Sequence, residues 1–289
     1  MKEQYKIVAV TPAGRKEYLE ILYKYICKNK HILDRWDIWV NTNNQSDIEY
    51  INNLAESDSF INLIQAELPY NANLSIYPFW KHAVDEDTIY VRFDDDIVYI
   101  HDDTIENLID FRIKNKEYFF VYPYIINNIH HSKDLQLKNI ATSAFGQIRS
   151  FSDLEQRPEY GGPEYGKGID DHVALRNSAF ARHLHELFIE KYNSNMLSDL
   201  MSTDEIIWER FPQVSINCVS WFGSTFKTFN GILENADEER WLTTVKAKEM
   251  DMLCCTAPNT LVSHFLYGPQ RSNDSMLDIL VKYKDISNV

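Results

Sequence analysis

The 289-residue sequence is short of cysteine, of long apolar runs and of clustered basic charge. Its four cysteines, Cys27, Cys218, Cys254 and Cys255, form no C-x-x-C pair and have no histidine at zinc-finger spacing. That argues against a disulfide framework or a structural zinc site. No stretch of 18 uncharged apolar residues occurs, so no membrane span is expected. The start, Met1-Lys2-Glu3-Gln4-Tyr5, lacks the apolar segment of a secretory signal, and the chain reads as cytoplasmic. Lys and Arg number 29 against 43 Asp and Glu, a formal charge of −14, and the basic residues form no stripe. A nucleic-acid backbone would be repelled, so nucleic acid is not expected as a partner. Repeats, low-complexity tracts and obvious linkers are also missing.

What remains is an ordinary globular composition, 44% apolar and 25% charged, long enough for one large core. The first hundred residues alternate strand and helix signals, as βαβ units on a largely parallel sheet do. Lys6 to Thr11 reads as a strand, Lys16 to Lys28 as a helix with Leu19, Leu22, Tyr23 and Ile26 on one stripe, and Asp37 to Asn41 as a second strand followed by a polar loop from Thr42 to Asp47. Phe60 to Ile64 reads as a third strand, and Asn73 to Val84 as a helix interrupted near Pro78. An acidic loop from Asp94 to Asp103 precedes another helix, and Tyr118 to Tyr124 reads as a strand.

Later signals are less regular. Residues 131 to 170 read as a long excursion of the kind that forms lids. Asp170 to Tyr192 reads as a helix, Ser202-Thr203-Asp204-Glu205 as the capping box of a short one, and Val214 to Trp221 as a strand. A helix from Asp237 to Met250 and a strand from Thr260 to Tyr267 follow. The expected organisation is one α/β domain, with residues 1–130 as its ligand-binding half and 131–289 as a less regular second half.

The most informative segment is Tyr90-Val91-Arg92-Phe93-Asp94-Asp95-Asp96, three consecutive carboxylates where an apolar strand ends. Carboxylates so close repel one another, and a cation is the natural compensation. Hard oxygen ligands suit Mg2+ or Mn2+, and the carboxyl end of a strand is where open α/β sheets bind ligands. Alternate residues of an extended chain point the same way, so Asp94 and Asp96 can converge on one ligand while Asp95 points elsewhere. The alternative is a solvated acidic turn stabilising the helix after it. With a net charge of −14, a diphosphate ligand would need a divalent cation and local Lys or Arg to reverse the field.

An aspartate-x-aspartate at a mid-chain strand end resembles the signature of glycosyltransferases of the GT-A fold. Thr11-Pro12-Ala13-Gly14-Arg15 resembles the first-strand loop that cups the nucleotide base. Phe229-Asn230-Gly231 followed by Asp237-Glu238-Glu239-Arg240-Trp241-Leu242 resembles the glycine turn and acidic helix start that supply the catalytic base of inverting members. Ser263-His264-Phe265-Leu266-Tyr267-Gly268-Pro269-Gln270-Arg271 resembles tails of bacterial surface-glycan transferases, in which a histidine can complete the metal shell.

The resemblance implies a GT-A, Rossmann-like sheet with helices on both faces. It further implies transfer of a sugar from a UDP- or GDP-linked donor to a glycan or lipid-linked acceptor, in surface polysaccharide synthesis. Mn2+ or Mg2+ would be held by Asp96, Asp94 and His264, and Glu238 or Glu239 would be the base, Glu238 first by motif alignment. Thr11, Pro12, Ala13, Arg15, Asn41, Lys81, Asp94, Asp95 and Arg271 would contact the donor, with Asp95 in the second shell or in solvent. Glu238 also fits a capping box with Asn235. Trp208, Trp221, Tyr160 and Tyr165 are aromatics that could stack on sugars. Two rival readings are a haloacid-dehalogenase-type phosphatase using Asp94 as nucleophile and Asp96 as acid, and a non-catalytic metal-dependent binding module. The phosphatase motif usually lies on the first strand, whereas strands precede it here.

Overall fold

The computed structural model describes residues 5–148, 172–234, 236–271 and 276–288. An 8-stranded mixed sheet runs in the order β3-β2-β1-β4-β9-β6-β10-β8, flanked by helices. Its strands are β1 (Lys6–Ala13), β2 (Arg35–Val40), β3 (Ile61–Gln65), β4 (Thr88–Phe93), β6 (Val121–Tyr122), β8 (Ile206–Trp208), β9 (Cys218–Phe222) and β10 (Cys254–Thr256). The pairs β2–β3, β1–β2 and β1–β4 are parallel, whereas β9 lies antiparallel to both β4 and β6. A smaller sheet orders β5 (Ile97–Ile100), β11 (Val262–His264) and β7 (Ile125–Ile126). One sheet therefore runs through both halves of the chain.

After β1 the chain builds β2 and β3 on one side, then returns to place β4 on the other side of β1. This reversal opens a crevice beyond the carboxyl ends of β1 and β4, the usual ligand position in such sheets. The strands form because their residues are β-branched or aromatic, and every residue of β4 is buried. Helix α1 (Lys16–Lys28) buries Tyr18, Leu19, Ile21, Leu22, Tyr25 and Ile26 at three- and four-residue spacings and packs on β5.

Several elements differ from the sequence expectations. The polar loop after β2 gives way at Gln45 to α2 (Gln45–Ser57), capped by Asn44, whose side chain accepts from Ser46 and Asp47. Only Ile51 and Leu54 are buried in α2, too narrow a stripe to announce a helix. The helix expected from Asn73 is a 3-10 segment, Tyr77–His82, with Pro78 in its first turn. The expected acidic loop is interrupted by β5, which is fully buried and pairs with β11. The Ser202–Glu205 box caps no helix; Ser202 Oγ donates to the Asp204 carbonyl at 2.7 Å and the chain continues as β8, paired with β10. The 131–170 excursion begins within a helix, Ile129–Leu137, and from 149 lies outside the described residues, as does the start of the expected helix at Asp170. That helix is a π-helical turn, His172–Arg176, followed by a helix over Ser178–Asn193.

The turn before the Glu238 helix is set by backbone conformation. Asn230 and Gly231 have φ values of 54° and 63°, and a Cβ on Gly231 would lie 2.5 Å from the Trp80 carbonyl oxygen. Gly231→Ala meets both the left-handed backbone and that clash. It is expected to lower unfolding free energy by about 1–3 kcal/mol, measured by urea denaturation; an unchanged midpoint would show that the turn relaxes freely.

Candidate active site

The crevice at the β1–β4 reversal is a cleft of about 340 Å³. Asp94, Asp95 and Asp96 stand at its base where β4 ends, and His264 reaches it from β11. The register of β11 against β5 shifts between Ser263 and His264, and such an irregularity re-aims a side chain. One ligand atom from each of Asp94, Asp96 and His264 lies within 4.8 Å of the others. Asp96 is 1% exposed, and its Oδ1 has no hydrogen-bond partner although it is buried. His264 Nε2 is 3.5 Å from that oxygen, while Nδ1 lies 3.4 Å from the Asn127 carbonyl. With a cation bound in place of that ion pair, Nδ1 would keep the Asn127 carbonyl and Nε2 would be the ligand atom. A buried carboxylate oxygen without a donor is costly, and a divalent cation would satisfy it. The donor set, two carboxylates and an imidazole, fits Mn2+ or Mg2+.

Arginines neutralise the rest of this acidic wall. Asp95 Oδ2 accepts from Gly14 N at 2.9 Å, and Arg15 Nε donates to Oδ1 at 3.0 Å, so Asp95 ties the end of β1 to the end of β4. Asp96 Oδ2 accepts from Arg15 Nη1 at 3.0 Å and Arg271 Nη2 at 3.1 Å. Burial would raise the Asp96 carboxyl, but Arg15, His264 and Arg271 outweigh it and hold it well below the usual carboxylate range.

Arg92, buried within β4, donates through Nε to Asp94 at 2.9 Å and through Nη1 to Glu238 at 2.9 Å. Glu238 also accepts from Trp80 Nε1 at 2.7 Å. Both Glu238 oxygens are thereby taken. The Glu239 carboxylate, half-buried in the cleft wall, accepts at 3.2 Å from the Ile216 backbone N–H. Burial first, then the charges of Glu238 and Asp94, push its carboxyl up to about 8. The helix start is capped by Asp237, which accepts from Arg240 N; Asn235 lies outside the described residues.

The cleft brings together Pro12, Arg15, Asn41, Asp94, Asp95, Asp96, Glu238, Glu239, His264 and Arg271 of the expected residues. Three others lie elsewhere. Thr11 belongs to β1 and is fully buried, accepting from Trp36 Nε1 at 3.0 Å. Ala13 is buried, and Lys81 pairs with Glu67 away from the cleft. Asn41 reaches the cleft with its amide already engaged, donating to the Ala72 carbonyl at 3.0 Å and accepting from Ser75 at 2.7 Å. Asp95, expected in the second shell or in solvent, is 3% exposed and holds Arg15. Trp208 and Trp221 are 5% and 0% exposed and pack in the core, and Tyr160 and Tyr165 lie outside the described residues.

Arg92, Asn217, Tyr267 and Trp80 were not foreseen. Asn217 Nδ2 donates to Asp94 at 3.3 Å, and Tyr267 OH donates to Asn217 Oδ1 at 3.1 Å while its ring packs on His264. Only Arg92 carried a signal, as a lone charge inside an apolar strand two residues before Asp94.

Fold and site together define an α/β chain with an acidic cleft at a strand-order reversal, in which Asp94, Asp96 and His264 could hold a cation. No protein-family model matches the chain, nor does any curated protein. Among solved structures it is similar to a mannosyltransferase from Pyrobaculum calidifontis in complex with GDP-Man and Mn2+. The identity is 12%, over 97% of this chain and 64% of that one, with a TM-score of 0.49. A CMP:2-keto-3-deoxy-manno-octonic acid synthetase complexed with CTP matches at 8% identity over 98% of this chain and all of that one, with a TM-score of 0.48. A 4-diphosphocytidyl-2C-methyl-D-erythritol synthase from Anaerococcus prevotii matches at 16% identity over 43% of this chain, with a TM-score of 0.33. The chain spans 64% of the mannosyltransferase and 57% of the erythritol synthase. At these scores the likenesses carry nothing about this chain's reaction, and its α/β class rests on its own strand order. No helix among the described residues is long and apolar enough to cross a membrane.

Two outcomes follow from the buried charges. Arg92→Met leaves Glu238 and Asp94 without their shared cation; removing one partner of a buried pair costs about 3–5 kcal/mol, read as a lower urea midpoint. The folded-state pKa of Glu239, about 8, lies above the ordinary 4.5, so the native state keeps a proton that the unfolded chain releases. This group's contribution is therefore lost as pH rises from the ordinary value through about 8. Glu239→Gln keeps the Ile216 bond without the ionisation. In chelator above pH 8 the variant should melt higher than wild type; equal or lower melting would contradict the raised pKa.

Proposed function

We propose that the protein is a metal-dependent glycosyltransferase of GT-A type, transferring a sugar from a UDP- or GDP-linked donor to a hydroxyl of a glycan or lipid-linked acceptor in surface polysaccharide synthesis. The supporting observation is the convergence of Asp94, Asp96 and His264 around the unpartnered Asp96 Oδ1, in a cleft that Glu239 also lines.

Asp94, Asp96 and His264 would hold Mn2+ or Mg2+, which when bound supplies electrostatic stabilisation of the leaving diphosphate. Arg15 and Arg271, already at the cation corner, donate to diphosphate oxygens. Pro12, Gly14 and the Asn41-anchored loop form the donor-side wall. Of the two helix-start acids, Glu239 takes the base role here. Glu238 has both oxygens fixed by Trp80 and Arg92, whereas Glu239 borders the cleft with a pKa near that of an effective base at neutral pH. Glu238 then positions Arg92, and through it Asp94. Proton removal from an acceptor hydroxyl by Glu239, opposite the departing diphosphate, corresponds to inversion. The phosphatase alternative is disfavoured by chain order, since its motif usually lies on the first strand and β1, β2 and β3 precede Asp94 here.

UDP or GDP at 100 times its Kd should stabilise the protein by about 2.7 kcal/mol in Mn2+, read as a rise in Tm. Equal stabilisation in excess chelator would remove the metal from the mechanism. In a donor-consumption assay, Glu239→Gln should lower turnover by roughly 10²- to 10⁴-fold while Mn2+-dependent nucleotide stabilisation persists. If Glu239→Gln retains near-native turnover, the base is not Glu239.

A further inference from the structure

Asp96 carries two arginines on one oxygen, and they are held very differently. Arg15 is locked. Its Nε donates to both Asp95 oxygens at 3.0 and 3.2 Å, its Nη2 also pairs with Asp95, and its guanidinium lies 5.1 Å from the Tyr18 ring centroid. Arg271 has no second carboxylate partner among the described residues. Beyond Asp96, among the described residues, it donates only to the Leu266 carbonyl, through Nε at 3.2 Å and Nη2 at 3.0 Å, and its side chain is 40% exposed.

A divalent cation on Asp94, Asp96 and His264 would sit beside both guanidinium groups, because all of them share the Asp96 carboxylate. Like charges gathered on one carboxylate oppose each other. The opposition is relieved if one arginine leaves or if an anion arrives between them. Arg15 cannot leave without breaking its Asp95 bonds, which also fix Gly14. Arg271 gives up one ion pair and one backbone acceptor, and its guanidinium fork matches a diphosphate as well as it matches a carboxylate.

We propose that Arg271 is an exchangeable counter-ion of Asp96. It competes with the divalent cation when no diphosphate is present, and moves onto the diphosphate when cation and diphosphate enter together, so that the two bind synergistically. The inference rests on the diphosphate-donor reading above. Coupling of this kind is reciprocal, since whatever Arg271 costs the cation alone is returned when the anion takes over the arginine.

The test is Mn2+ binding, followed by loss of the free-ion EPR signal. Wild type, Arg271→Gln and Arg271→Lys are compared with and without inorganic pyrophosphate, a probe that requires no knowledge of the base or sugar. After allowance for the Mn2+–pyrophosphate complex in solution, pyrophosphate should tighten Mn2+ binding to wild type by roughly 5- to 150-fold, the usual span of such couplings. Arg271→Gln should bind Mn2+ alone more tightly than wild type and lose most of the coupling. Arg271→Lys, which keeps the charge, should retain it. If Arg271→Gln binds Mn2+ alone no more tightly than wild type, the counter-ion role is overturned while the functional reading stands. If none of the three proteins binds Mn2+, with or without pyrophosphate, both fall.

Discussion

Compensation of carboxylate charge at the end of β4 is the constraint on which the site depends. Asp94, Asp95, Asp96, Glu238 and Glu239 face one cleft, and most of them are withdrawn from water. Charges so placed are tolerable only when paired. Arg15 serves Asp95 and Asp96, Arg92 serves Asp94 and Glu238, and Arg271 serves Asp96. The compensation is incomplete at the unpartnered Asp96 Oδ1 and at Glu239, whose carboxyl is pushed up to about 8. Those two positions lie where the proposed metal and base would act.

The same pairs are structural fasteners. Asp95 joins Gly14 and Arg15, just past the end of β1, to the end of β4 at the switch point of the sheet. Arg92 joins β4 to the helix that starts at Glu238, and Trp80 reaches Glu238 from the 3-10 segment while packing against Trp39 and Trp221. The aromatic core thus bears directly on the orientation of a carboxylate at the cleft. Asn217 and Tyr267 do the corresponding work for Asp94 and His264 from β9's approach and from the end of β11.

Elements with strong local signals were legible in the chain. The apolar, β-branched runs of β1, β2 and β4 and the stripe of α1 announce themselves because their burial pattern repeats within a few residues. Elements held by distant partners were not. Helix α2 buries too little to show a stripe, and β8 is a strand because the edge of β10 accepts it, against a local pattern that favours a helix start.

At the site, the sequence alone determined that three carboxylates end a buried strand; Asp94 and Asp96 come together because the chain turns there, with Ile97 N donating to the Asp94 carbonyl at 3.0 Å, rather than through the alternation of an extended chain. The sequence also put a histidine and a pair of glutamates within reach of the argument. Tertiary structure decided which groups are spent and which are free. Asp95 is spent on Arg15, 80 residues earlier, and Glu238 on Arg92 and Trp80, 146 and 158 residues away. Partners at such separations leave no periodic trace, because hydrogen bonds and burial depend on where the chain returns in space.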